Sequence, residues 1–118
     1  MSYRAAASKL RKNFIIMTNT FEKNNLRVLN VGCKPYDDDD ADLNIYIELE
    51  ALQGEKIPYD LELKINLYDA EGNIYMMEQR FVDKEEFDGY DTVEITVCDD
   101  SHVLEIAESG RLYVARKC

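Results

Sequence analysis

Three stretches of this chain alternate apolar and polar residues with a period of two, and that period leaves few folds open. Leu43, Ile45, Ile47 and Leu49 alternate with Asn44, Tyr46 and Glu48. Tyr59, Leu61, Leu63, Ile65 and Leu67 alternate with Asp60, Glu62, Lys64, Asn66 and Tyr68, and Val93, Ile95 and Val97 alternate with Glu94 and Thr96. Successive strand side chains point to opposite faces, so each stretch predicts a strand with one buried and one wet face. Residues 26–33 are β-rich, but their apolar phase slips between Val28 and Leu29 in the manner of a bulge. Residues 73–82 and 111–116 read as further strands, and Phe14 to Thr18 as one at a sheet edge. The run from Val103 to Ala107 predicts one or two helical turns ended by Gly110.

The connections agree with this division. Asp69-Ala70-Glu71-Gly72 predicts a tight hairpin in which Gly72 takes positive φ and Asp69 bonds the turn amides. Residues 53–58 form a longer turn closed by Pro58. Six or seven short strands at this spacing predict an all-β, antiparallel β-sandwich, and 118 residues suffice for one such core. The expected organisation is one sandwich domain over 21–118, preceded by a loosely attached basic segment over 1–20 that is helical or frayed.

Charge narrows the partners. The chain holds 24 acids and 14 bases, a net charge of -10, which repels nucleic acid and anionic membranes. Residues 1–21 run against this, with Arg4, Lys9, Arg11 and Lys12 and no acid. The apolar run after those bases, Phe14 to Met17, is too short for a signal peptide, and no stretch has the length of a membrane span. The expected location is the cytoplasm, or the cell envelope if the chain is cut from a longer precursor.

Ile65-Asn66-Leu67-Tyr68-Asp69, followed by Ala70-Glu71-Gly72-Asn73, resembles the FxLYD family of bacterial immunoglobulin-like domains, with Ile65 in place of the leading Phe. The resemblance implies an immunoglobulin-like sandwich of about seven strands with an interaction role and no catalytic residues. Immunoglobulin domains often bridge their second and sixth strands, which makes Cys33 and Cys98 the pair for such a disulfide; the odd cysteine count favours thiols instead. Cys118, the last residue, is the expected point of disulfide-linked homodimerisation in oxidising buffer.

Two site hypotheses follow. Tyr46 and Tyr68 lie on the wet faces of strong strands, and exposed aromatic residues anchor partner proteins, so they are the candidate protein-binding residues. Strand reversal also places alternate loops at one end of a sandwich. That gathers the acids of 34–42, 69–72 and 99–110, from which Asp38, Asp40, Asp69, Glu71, Asp99 and Asp100 are the candidate ligands for a calcium ion. The aspartate run lacks the mid-loop Gly of an EF-hand. Catalysis is not expected: His102 is the single histidine, no Ser lies in a nucleophile elbow, and a Cys98–His102 dyad would need helical spacing where a strand ends. The leading expectation is a non-catalytic protein-interaction module without cofactor, with calcium binding as the alternative.

Overall fold

A computed structural model of the chain describes residues 2–37, 41–98 and 102–117. Seven strands are arranged as β1 (Phe14–Ile16), β2 (Leu26–Pro35), β3 (Leu43–Ala51), β4 (Leu61–Tyr68), β5 (Ile74–Val82), β6 (Tyr90–Val97) and β7 (Ser109–Arg116). Three helices accompany them: α1 (Tyr3–Lys12), α2 (Thr18–Glu22) and α3 (Val103–Ile106). The strands form a three-stranded sheet in the order β2-β3-β6 and a four-stranded sheet in the order β1-β7-β4-β5. All pairings are antiparallel except that of β1 with β7, which is parallel.

The alternation seen in the sequence builds the core. Leu43, Ile45, Ile47 and Leu49 on β3 and Leu61, Leu63, Ile65 and Leu67 on β4 are fully buried. Val93, Ile95 and Val97 on β6 and Leu112 and Val114 on β7 close the layer around them. Each such side chain contributes about 1.5–3 kcal/mol of burial free energy. The phase slip in β2 is a register shift between Val28 and Asn30. Asp69 turns the β4–β5 hairpin, its carboxylate accepting from the amides of Glu71 and Asn73 at 3.0 Å each, and Gly72 sits at φ +84°.

Three expectations need correction. Residues 1–20 are not a loosely attached arm. Ala7 and Leu10 of α1 are 1% exposed, the Arg11 side chain donates to the Val31 carbonyl, and β1 pairs with β7. Helical burial of two small or apolar positions a turn apart makes the segment part of the core. Tyr59 lies outside its strand, which begins two residues later at Leu61; its ring is exposed beneath the Arg116 guanidinium, 3.9 Å from the ring centre. Gly110 does not end the helix, which stops at Ile106, but pairs in β7 opposite Phe14.

Candidate functional site

The layering decides which surface residues meet. Strand β3 belongs to one sheet and β4 to the other, and their core residues face each other, so their polar residues point away from the sandwich on opposite sides. Tyr46 and Tyr68 are therefore not brought together. Each is partly exposed at the end of an Asn-x-Tyr step, with the Asn44 or Asn66 amide nitrogen 3.4 Å from the phenol oxygen. Each also carries a cation over its ring: Lys34 at 4.8 Å from the Tyr46 centroid and Arg111 at 5.8 Å from that of Tyr68.

The outer face of the three-stranded sheet carries Tyr46 and the 53% exposed Tyr90 among polar side chains that bond one another. Thr96 donates to Asn44 at 2.6 Å, the Tyr90 hydroxyl donates to Glu48 at 2.7 Å, and Arg27 pairs with Glu50 at 2.7 Å.

The outer face of the four-stranded sheet differs. In-register partners share a face, so Ile15 opposite Arg111, Arg111 opposite Asn66, and Asn66 opposite Met77 form one row across all four strands. Ile15 at one edge is 54% exposed and Met77 at the other is 66% exposed. Two further rows place Tyr113, Lys64 and Gln79, then Ala115, Glu62 and Phe81, on the same face. Phe81 is 46% exposed beneath the Lys117 ammonium, 4.4 Å from the ring centre. Beside Tyr68, a depression of about 200 Å³ is walled by Ile15, Gly72 and Arg111. The face thus carries apolar anchors at both edges and basic groups between them. The single exposed positions Ile15, Met77 and Phe81 gave little signal in the sequence, because only strand order places them on one surface.

Of the six candidate metal ligands, Asp38, Asp40, Asp99 and Asp100 lie outside the described residues. The strand ends that flank the three acid-bearing connections lie at one end: Leu43 pairs with Val97, the Leu104 amide donates to the Ala41 carbonyl at 2.9 Å, and the Glu108 amide donates to the Tyr68 carbonyl at 2.8 Å. Asp69 is used by its own hairpin, and Glu71 is exposed on that turn. Among the described residues no three His, Cys, Asp or Glu side chains gather closely enough to hold a metal ion.

Cys33 and Cys98 are not joined by a disulfide. Strands β2 and β6 flank β3, so Cys33 and the residue after β6 are separated by two strand spacings, about 9–10 Å, beyond the roughly 7 Å that a disulfide tolerates. Cys118 lies outside the described residues. Burial pushes the Cys33 thiol up to about 12, against a smaller opposing pull from the Arg11 guanidinium. Its ordinary value is 9.0, so the unfolded chain releases this proton first and stability falls as pH rises from 9 toward 12. In urea melts the native chain is expected to lose up to about 1.4 kcal/mol per pH unit above pH 9 more than Cys33→Ala does. Equal losses in the two proteins would contradict this.

Among the described residues no helix is long and apolar enough to cross a membrane. No family model matches the chain, and no curated protein matches it. Two solved structures are similar at low identity. The Campylobacter jejuni protein cj0090 aligns at TM-score 0.49 and 12% identity, covering 89% of this chain and 98% of that one. A putative beta-galactosidase from Bacteroides fragilis aligns at TM-score 0.39 and 12% identity, covering 79% of this chain and 16% of that one.

Proposed function

We propose that the chain is a non-catalytic, immunoglobulin-like β-sandwich module that binds protein through the outer face of its four-stranded sheet. One observation carries the binding reading: the row Ile15–Arg111–Asn66–Met77 sets exposed aliphatic side chains at both edges of a sheet face, where the paired rows of its counterpart on the other sheet have only tyrosines among polar residues. Large apolar groups ringed by polar ones are what protein contacts use. The immunoglobulin-like reading draws on connectivity. Strands β2, β3 and β6 correspond to A, B and E of such a domain, and β4 and β7 to C and F, with β5 flanking β4. The parallel β1 takes the place beside β7 where a last antiparallel strand would lie. The FxLYD resemblance fits the same frame, since Leu67-Tyr68-Asp69 ends β4 and Asp69 turns its hairpin. Tyr68 belongs to the proposed face, whereas Tyr46 lies on the opposite one.

A peptide library selected against the native chain tests this. Selected peptides are expected to lose binding to Ile15→Ser/Met77→Ser and keep it toward Tyr46→Ser. Equal binding to all three proteins would refute the assignment.

Calcium binding is the second reading, favoured because the strand ends that flank the three acidic connections lie at one end. A ligand of the native state raises the melting midpoint. A rise in millimolar calcium that is lost in Asp69→Asn/Glu71→Gln supports this reading, and an unchanged midpoint removes it.

A further inference from the structure

The centre of the proposed face is less acidic than the molecule as a whole. The chain as a whole is at -10, yet the paired rows of this face hold Lys64 and Arg111 against Glu62, and Lys117 follows at their end opposite Asp60. The ion pairs formed by Lys9 with Glu108, Arg27 with Glu50 and Lys56 with Asp88 engage none of these three bases. Arg111 and Lys117 instead lie over the rings of Tyr68 and Phe81.

Size limits the occupant. Strands β4, β5 and β7 rise about 26 Å and span about 14 Å, and the three-residue β1 adds about 10 Å by about 5 Å, so the face measures about 420 Å². That is below the roughly 800 Å² per partner of a standard interface between globular proteins. A face of this size suits an extended segment of chain.

We infer that the occupant is an acidic segment of another protein, with apolar side chains seated near Ile15, Met77 and Phe81 and carboxylates set against Lys64 and Arg111. This rests on the binding-face reading above. The molecule's net negative charge does not oppose such contact at physiological salt, where charges beyond about 8 Å are screened and pairs in contact are not.

Two twelve-residue peptides serve as probes, with the same Leu and Phe positions alternating with Glu in one and with Lys in the other. Binding to the full chain is read by fluorescence anisotropy at 150 mM salt, and every variant is first checked for an unchanged melting midpoint. The Glu peptide is expected to bind saturably and to weaken by about tenfold or more in Lys64→Glu/Arg111→Glu. Tyr46→Ser is expected to leave it unchanged. Tighter binding of the Lys peptide, or indifference of the Glu peptide to charge reversal, overturns the inference. If both peptides are lost in Ile15→Ser/Met77→Ser but ignore the charge reversal, the binding face stands and its acidic occupant does not. If no face variant alters either peptide, both readings fail. Sedimentation of the native chain as a dimer, abolished by the charge reversal, would assign the face to a second copy and also overturn the inference.

Discussion

Replacing Gly110 with valine is expected to cost about 3 kcal/mol or more, and to lower the melting midpoint by more than 10 °C. The sign is informative, because valine in a strand interior ordinarily stabilises relative to glycine. Here the Phe14 ring lies directly on the Gly110 backbone. A Cβ at position 110 would sit 2.6, 2.7 and 2.9 Å from three ring atoms. Phe14 is 8% exposed, so the ring cannot swing away without surrendering its own burial. The clash would strike the pairing of β1 with β7, which is how the basic N-terminal segment joins the sheet. A double-mutant cycle isolates the contact: Phe14→Ala should cost markedly less beside Gly110→Val than alone. Additive costs, or a midpoint unmoved by valine, would show that the ring does not rest there.

Asn25 carries the second large effect. It follows α2 at φ +61°, a left-handed conformation that alanine disfavours by about 1–2 kcal/mol. Its amide nitrogen donates to the carbonyls of Gln53 and Lys56, each at 2.8 Å, and its side-chain oxygen accepts from the Gln53 amide at 3.1 Å. Its own carbonyl accepts from the Leu52 amide at 3.0 Å. One side chain thus clasps the connection that carries the chain from β3 in one sheet to β4 in the other. Loss of three hydrogen bonds at about 1 kcal/mol each, added to the backbone cost, predicts about 4 kcal/mol for Asn25→Ala. Asn25→Gly relieves the backbone strain alone and should fall between alanine and the native residue. A loss below 1 kcal/mol for alanine in a denaturant melt would contradict this role.

The two sites also show where the sequence is mute. Alternation identifies β3, β4 and β6 because a period of two states which side of a strand is buried. It does not state which strand lies next door. Tyr46 and Tyr68 look alike in their local sequence and end on opposite sides of the molecule for that reason. The bulge in β2 was legible as a slipped phase, and the β4–β5 hairpin as an Asp and a Gly at the right spacing. Helix α2 was not, since Thr18-Asn19-Thr20-Phe21-Glu22 is a single short element with no apolar repeat and two β-branched residues. Gly110 was misleading in a different way. Glycine commonly ends helices, yet this one serves as the landing place of an aromatic ring from a strand 96 residues earlier in the chain, a fact no local pattern holds. Counting reversals states which strand ends lie together, while the assembly of the four-stranded face depended on β1 joining β7 in parallel.

The binding face is tested most directly by following the backbone amide resonances of the native chain as the Glu-containing peptide is added. Shifts should concentrate at Ile15, Lys64, Tyr68, Met77, Arg111 and Tyr113, with Tyr46, Thr92 and Glu94 unmoved. Shifts centred on those last three residues, or confined to the loops at either end of the sandwich, would contradict the account.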